Sequence, residues 1–365
     1  MVTCTPKLTV VAVGDLQLGD SPTTVGYGFY SRYRGRPLDV LFDEVRPLMD
    51  GADILFGNLE TTLVPADPGE PSRARLQLRG EPEFAKALRR TGFTVLNVAN
   101  NHAVQHGSQA FHSTIATLRD AGIACCGIRG TDGWTSEPVM LQQGAVGILG
   151  YCLRPRQYGS EVPPYAEGSR DEICRDVRRL RESSVTVVVS LHWGEEFVTM
   201  PSKDEISLAH AIIDAGAVLL LGHHPHVIRP VEQYGHGTIV YSLGNFLGDM
   251  VWYAPFRRGA VFRCILTDSG IADATMAPTR LGSDYQPRPT GEPATSSVSS
   301  EQIRGLDAEQ YARAIATSWR KQRAAGYFAA IVNLPRTPLR ILVQLAHQTV
   351  RNKFAALMAR VRSSG

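Results

Sequence analysis

Three of the chain's ten histidines fall within four positions, in the segment Gly222-His223-His224-Pro225-His226. Two imidazoles two residues apart on an extended segment can converge on a pair of neighbouring metal ions, and neutral imidazole binds Zn, Fe, Mn and Ni. The alternative is a loop that merely carries histidines on the surface. We interpret His224 and His226 as metal ligands and His223 as a catalytic candidate.

A further histidine stands at the end of another apolar run. His192 follows Val187–Leu191 directly, and two carboxylates, Glu195 and Glu196, come shortly after it. A lone histidine at a strand end is more often structural, but the second histidine cluster favours a ligand here. We expect Glu195 or Glu196 to orient His192, as carboxylates commonly orient metal-bound histidines.

The remaining candidates are amides and carboxylates. Adjacent asparagines such as those in Asn100-Asn101-His102 can simply cap a following helix. In the functional interpretation, Asn101 gives its side-chain oxygen to a metal and His102 is the second catalytic candidate. Carboxylates offset the charge of bound metals, which neutral histidines do not. The predicted oxygen ligands elsewhere in the chain are Asp15, Asn58 and Glu60.

Each of these polar clusters follows a short aliphatic run, which suits a strand buried on both faces. The runs are Leu8–Val13, Ala52–Phe56, Phe93–Val98, Val185–Leu191, Ala217–Leu221 and Thr238–Leu243. Helices are predicted between them, over Pro37–Met49, Pro82–Thr91, Ser108–Ala121, Asp171–Ser183 and Lys203–Ala215. This alternation predicts an α/β fold, in which ligands bind at the carboxyl ends of the strands. Turn chemistry alone would explain any single cluster, but turns do not require His or Glu.

Taken in order, these motifs resemble the CapA family of capsule and poly-gamma-glutamate biosynthesis proteins. The resemblance runs from Leu8 to Leu266 and rests on Gly14-Asp15, Asn58-Leu59-Glu60, Asn100-Asn101-His102, His192-Trp193-Gly194-Glu195-Glu196, Gly222-His223-His224-Pro225-His226-Val227 and Tyr241-Ser242-Leu243-Gly244-Asn245-Phe246. It implies a fold like that of calcineurin-type metallophosphoesterases. The expected architecture is therefore a four-layer α-β-β-α sandwich, metallo-dependent phosphatase-like, with a helical C-terminal extension.

The resemblance also implies roles for individual residues. Matched to the phosphoesterase pattern, the metal ligands are Asp15, Asn101, His192, His224 and His226, and the catalytic histidine is His102. The implied cofactors are divalent metal ions, two of them, of Mn, Fe or Zn. Asn245, in the last motif, is expected to contact the substrate or a ligand.

Three positions depart from the family's pattern. Gln17 stands where the phosphoesterase pattern has a histidine, and Asn58 stands where it has a bridging aspartate. Both departures weaken one metal position, so a single tightly held ion is an alternative. Gln105 occupies the position of an aspartate usual in CapA-like chains. The contact which that aspartate would make, with the substrate or with a ligand, therefore has no carboxylate here.

The predicted function is metal-dependent hydrolysis of a phosphoester, or of a glutamyl amide bond given the family's association with polyglutamate. The alternative is a non-catalytic accessory subunit of a polymer synthesis or export complex. We expect an anionic small-molecule or polymer substrate. A net charge of +3 over 365 residues gives no indication of nucleic-acid binding.

The chain divides by composition into three predicted parts. Residues 1–281 form the main domain, and 282–300, rich in Pro, Ser, Thr and Gly, predict a linker or long loop. Residues 301–365 predict a basic helical extension, with helices over Glu301–Ala325 and Thr337–Arg362. No Asp or Glu occurs from Tyr311 onward. A basic amphipathic helix can lie on an anionic membrane surface, or it can pack on the main domain or a protein partner.

Cellular location is predicted from two further features. The six cysteines show no CxxC spacing, which favours free thiols in a reducing compartment. The N-terminus lacks a signal-peptide pattern, and no run approaches the roughly 18 apolar residues that span a bilayer. We expect a cytoplasmic protein, at most peripheral to the membrane.

Overall fold

The structure is a computed structural model, and it describes residues 7–65, 77–159, 162–183, 185–267, 270–295, 303–339 and 341–343. The strands are, in chain order, β1 (Leu8–Leu16), β2 (Ile54–Leu59), β3 (Thr62–Leu63), β4 (Arg79–Gly80), β5 (Val95–Asn97), β6 (Ala124–Cys126), β7 (Val139–Leu141), β8 (Val146–Cys152), β9 (Thr186–His192), β10 (Ala217–His223), β11 (Val231–Tyr234), β12 (Gly237–Val240), β13 (Asn245–Leu247), β14 (Arg258–Thr267), β15 (Gly270–Leu281) and β16 (Pro287–Pro289).

The helices are α1 (Phe29–Tyr33), α2 (Arg46–Met49), α3 (Glu83–Thr91), α4 (Ser108–Asp120), α5 (Arg170–Glu182), α6 (Lys203–Asp214) and α7 (Ala308–Val332). Those predicted between residues 82 and 215 are confirmed to within a residue at each end. The single helix predicted over Pro37–Met49 is wrong. A short 3-10 turn, Asp39–Phe42, precedes α2, and Pro47 lies in the first turn of α2. Proline fits the first turn of a helix but not its interior, so a new helix starts there.

The strands form two main sheets. The first has the order β16-β15-β14-β1-β2-β5-β6, with β13 beside the end of β1, and the second has the order β11-β12-β10-β9-β8-β7. The central strands are parallel in both sheets: β1, β2, β5 and β6 in the first, and β8, β9, β10 and β12 in the second. Their carboxyl ends therefore lie at one edge of each sheet.

Alternate residues of one strand enter different hydrophobic layers, as the two-residue period of a strand requires. In β1, Val11 and Val13 face a layer shared with α3 and α4, whereas Val10 and Ala12 face the opposite sheet. In β9, Val188 faces that same middle layer, while its neighbours face α5 and α6. Three hydrophobic layers thus separate four structural ones, and the predicted α-β-β-α sandwich is confirmed.

The described part of the predicted linker lies against the first sheet. Within residues 282–295, β16 pairs antiparallel with β15, and Thr295 pairs with Met276. The boundary predicted at residue 281 therefore falls inside the sheet. β16 lies at the sheet edge, where its two prolines remove no central ladder hydrogen bond.

The predicted extension begins with α7, which starts at Ala308 rather than at the predicted Glu301 because Asp307 caps it. Most of the helix predicted over Thr337–Arg362 lies outside the described residues. Several apolar side chains of α7 and the turn after it are exposed, among them Tyr327, Ile331 and Leu334. The contact predicted between this extension and a membrane or protein partner stays a prediction.

Two further sequence predictions can be compared with the described residues. The cysteines that the structure describes, Cys125, Cys126, Cys152, Cys174 and Cys264, are free and buried. None of the helices in the described ranges is both long enough and apolar enough to cross a membrane.

The start of α5 provides a test of local stability. Ser169 accepts a hydrogen bond from the backbone of Glu172, whose carboxylate in turn accepts from the Ser169 backbone at 2.8 Å. We expect Ser169→Ala to lower the free energy of unfolding by about 1 kcal/mol, the usual cost of losing such a cap. Urea denaturation measures this. Ser169→Asp, which preserves an acceptor, should stay near wild type, and equal losses in both variants would contradict the capping role.

Candidate metal centre

The parallel strands deliver the predicted site residues in neighbouring pairs. Asp15 and Asn58 are register partners across β1 and β2, and His192 and His223 are register partners across β9 and β10. All four side chains are buried. Because both pairs stand at strand ends that face one another across the sandwich, the two sheets contribute to one site.

A third segment, β13 with the residue before it, also reaches the site. A Cβ atom at Gly14 would collide with the carbonyl oxygen of Gly244, so glycine is required for the close contact between these segments. The Asp15 backbone N–H donates to Gly244 O at 2.9 Å, and Asn245 becomes the register partner of Asp15. The last motif of the sequence therefore lies beside the first.

His224 and His226 stand on a loop with an uncommon backbone conformation. Their φ angles are +92° and +57°, in the region that side-chain-bearing residues rarely adopt. Such positions cost about 1–3 kcal/mol each and cluster at functional sites. The turn directs the His224 backbone N–H to Asp15 Oδ2 at 3.2 Å and places His226 Nδ1 3.1 Å from the same oxygen.

Asp15 is the central anion of the cluster. Burial opposes its ionisation, but the nearby rings of His223 and His226, whose Nδ1 atoms lie 3.4 and 3.1 Å from its oxygens, hold the pKa of its carboxyl well below the ordinary value. Its Oδ1 also accepts from the Asn58 side chain at 2.8 Å. Asp15 is therefore a fixed negative charge at neutral pH.

Glu60 is the second carboxylate. Its Oε2 accepts from Gln17 Nε2 at 2.8 Å, and its Oε1 lies 3.3 Å from His192 Nε2. Burial, followed by the charge of Asp15, raises the pKa of Glu60 to about 8. Gln17, which departs from the phosphoesterase pattern, thus positions a carboxylate rather than offering a ligand nitrogen.

His226 carries the complementary positive charge. Burial opposes its protonation, but Glu60, Asp15 and Glu196 raise its pKa to about 10. Its Nδ1 also lies 2.9 Å from Asn245 Oδ1. Asn245, expected to contact the substrate or a ligand, therefore contacts the predicted ligand His226. The His226 ring thus offsets the buried negative charge of Asp15.

His192 is oriented by amides and not by the glutamates we expected. Its Nε2 donates to Asn101 Oδ1 at 2.8 Å, and its Nδ1 lies 3.2 Å from Asn58 Nδ2. Glu195 instead forms an ion pair with Arg154, at 2.6 Å. The prediction for Glu195 failed because a salt bridge with a nearby arginine turns it away from the strand end.

Asn58 also differs from its predicted role as a ligand. Its nitrogen faces Asp15 and His192, and its oxygen accepts from Asn97 Nδ2 at 2.9 Å. An amide arranged in this way has no oxygen to offer a metal, so Asn58 holds Asp15 in place. The sequence analysis missed Asn97, although its position as a polar residue within the apolar run Phe93–Val98 was a signal.

His102 lies at the edge of the cluster. Its Nδ1 donates to Gln105 Oε1 at 2.9 Å, and its Nε2 lies 3.3 Å from Asn101 Nδ2. Burial lowers the pKa of His102 to about 4, so the ring is neutral near pH 7. Gln105, the third departure from the family pattern, therefore still orients the histidine.

The arrangement fits a divalent metal. Ligand atoms of Glu60, His224 and His226 lie within 4.8 Å of one another, as do those of Asp15, Glu60 and His192. Within the described part of the chain, both ring nitrogens of His223 and of His224, and Glu60 Oε1, are buried without a hydrogen-bond partner. Unpaired buried polar atoms cost about 1–3 kcal/mol each. Three of these atoms belong to Glu60 and His224, which share one group of ligand atoms, so this group is a candidate metal site.

These features define a class of protein. It is an α/β protein whose four-layer α-β-β-α sandwich gathers His, Asp and Glu at the carboxyl ends of parallel strands. The chain belongs to the family described as bacterial capsule synthesis protein PGA_cap, which matches residues 9–250. The resemblance to CapA proteins is confirmed.

Individual relatives agree with this membership. The chain is 29% identical over 296 residues to the capsule biosynthesis protein CapA of Bacillus anthracis, covering 78% of this chain and 69% of that protein. It is 27% identical over 260 residues to the PGA biosynthesis protein CapA of Bacillus subtilis (strain 168), covering 67% and 68%. A solved structure, TT1561 of Thermus thermophilus, has 12% identity and a TM-score of 0.38, covering 70% of this chain and 94% of that one.

Proposed function

We propose that this chain is a metal-dependent hydrolase that acts in capsule or polyglutamate biosynthesis, on a phosphoester or a glutamyl amide bond. The proposal rests on the buried side-chain atoms that have no hydrogen-bond partner: a carboxylate oxygen of Glu60 and the ring nitrogens of His223 and His224. Catalytic and ligand sites are where natural proteins tolerate such atoms. The family membership supplies the biological setting.

The residues that would hold a metal are Asp15, Glu60, His192, His224 and His226. A divalent ion there would supply an activated water and would stabilise charge on the attacked group. Neutral His102, whose Nδ1–H is donated to Gln105, would offer the lone pair of its Nε2 to the substrate at neutral pH. Asn58 and Asn101 keep His192 in a single ring orientation.

A second candidate is a non-catalytic accessory subunit. The observation that favours it is Asn58, which directs an amide nitrogen at Asp15 where the phosphoesterase pattern has a bridging carboxylate. With one fewer carboxylate, the site supports one ion more readily than two. Metal binding in that case would stabilise the protein without producing hydrolysis.

The test compares activity before and after metal removal. Purified protein is treated with EDTA, reloaded separately with Mn, Fe or Zn, and assayed with p-nitrophenyl phosphate and gamma-glutamyl-p-nitroanilide. We expect one substrate to be hydrolysed, the activity to vanish on chelation and to return on reloading. A protein that binds metal and leaves both substrates intact supports the accessory subunit, and one that binds no metal under any loading condition contradicts the hydrolase.

A further inference from the structure

A second cavity lies between residues 23–27, residues 249–257 and the C-terminal half of α7. Its volume is about 280 Å³, and it shares no lining residue with the candidate metal centre. Four aromatic rings line it, from Tyr27, Trp252, Tyr285 and Phe328. A concave site with mostly apolar walls and a few polar groups is the usual form of a small-molecule site.

The polar groups of this cavity are chiefly donors. Arg257 uses its Nε for Val251 O at 2.7 Å, and Arg336 uses one Nη for Asn333 Oδ1 at 3.2 Å. Across the residues that the structure describes, neither guanidinium has a carboxylate within ion-pair distance, and Trp252 Nε1 is buried without a partner. Several N–H groups and two positive charges therefore remain available to a ligand.

The one carboxylate in the lining is already engaged. Asp249 is fully buried, and its oxygens accept from the backbone N–H groups of Ser21 and Phe29 and from the Thr24 hydroxyl. It has no exposed oxygen to attract a cation or to pair with the arginines. The cavity consequently favours a ligand that accepts hydrogen bonds and carries negative charge.

We propose that this cavity binds a small organic anion, a single carboxylate, sulfonate or phosphate group on a ring-sized apolar body. The planar guanidinium groups of Arg257 and Arg336 match the geometry of such an anion. The aromatic walls take the apolar body. The inference stands independently of the proposed hydrolase activity.

The probe is 4-fluorobenzenesulfonate, and its matched neutral control is 4-fluorobenzenesulfonamide. Each is titrated into the full chain in EDTA, so that no metal can bind the anion, and binding is followed by ¹⁹F NMR. We expect the sulfonate to bind saturably at one site per chain and the neutral sulfonamide to bind at least about tenfold more weakly, since a charge-assisted hydrogen bond contributes roughly 1.5–3 kcal/mol.

Variants identify the site. Arg336→Gln removes one lining charge, at an exposed position, and Arg257→Gln removes the other. Both should weaken sulfonate binding about tenfold or more, whereas Arg320→Gln, in α7 but outside the cavity, should not change it. Equal binding of the two probes, no saturable binding, or unchanged affinity in both lining variants would overturn the proposal. Thermal denaturation checks that each variant is folded.

Discussion

Replacing His224 with alanine is expected to reduce the affinity of the protein for divalent metal by at least about 100-fold. Loss of a residue that merely orients a ligand costs about 10–100-fold, and His224 is itself among the grouped ligand atoms. Both of its ring nitrogens are buried and unpaired, so no hydrogen bond is lost with the ring, which packs against His192. Metal content by elemental analysis and affinity by chelator competition measure the effect.

The matched control is His236→Ala, which removes an exposed histidine at the turn between β11 and β12. It should bind metal as the wild type does. His226→Ala should lose metal like His224→Ala, and it should also change the stability of the metal-free protein because Asp15 and Glu60 lose their positive partner. Wild-type metal content in folded His224→Ala would remove the proposed centre.

The metal-centre experiment also separates the two candidate functions. If His224→Ala loses both metal and hydrolysis, the ion takes part in the chemistry. If it loses metal and thermal stability while the wild type hydrolyses neither substrate, the ion acts as a structural element of an accessory subunit. Ligand binding to the native state alone stabilises it by RT ln(1 + [L]/Kd), so the stability change is itself a measure of affinity.

The sequence predicted those parts of the site that depend on one strand at a time. Each buried run ends at a polar residue, and the two-residue period fixes which layer each side chain enters, so Asp15 and His192 could be placed at strand ends. The direction of an amide depends instead on partners distant in sequence. Asn58 faces Asp15 because Asn97 takes its oxygen, and no local pattern encodes that contact.

The helix predicted over Pro37–Met49 is wrong, and Glu195 pairs with Arg154 rather than with His192, for related reasons. Apolar spacing favoured one continuous helix, but Pro47 can occupy only a first turn. Glu195 was expected to orient His192 because it is near in sequence, yet Arg154, distant in sequence, pairs with it. The burial of Arg229 could not be predicted for the same reason. Arginine is almost never buried without a partner, and the tertiary structure decides which residues become its partners.

Arg229 gives the second large prediction. It is 1% exposed, and its guanidinium donates to Val198 O and to Glu205 Oε1, each at 2.7 Å. It also donates to Glu195 O at 3.2 Å and lies 3.3 Å from the hydroxyl of Tyr311 in α7. One side chain thus joins the loop after β9, the start of α6 and the C-terminal extension.

We expect Arg229→Met to lower the free energy of unfolding by about 3–5 kcal/mol, because it leaves the partly buried Glu205 carboxylate without its cation and strands two carbonyl oxygens. Urea denaturation measures the loss. The matched control is Arg313→Met, which breaks an exposed ion pair with Glu309 in α7 and should cost less than about 1 kcal/mol. Similar losses in the two variants would show that Arg229 contributes no more than a surface pair.

The second control removes the charge that Arg229→Met leaves behind. Glu205→Gln in the same chain keeps an acceptor for the Ser202 backbone, so the cap of α6 survives. The double variant should therefore recover part of the lost stability, and a further fall would contradict the uncompensated charge as the cause.

The network around Arg229 also supports the loop that carries two predicted metal ligands. The Phe197 N–H, in the loop that Arg229 holds, donates to Pro225 O at 2.8 Å, between His224 and His226. Arg229→Met should consequently weaken metal binding as well as folding, whereas Arg313→Met should affect neither.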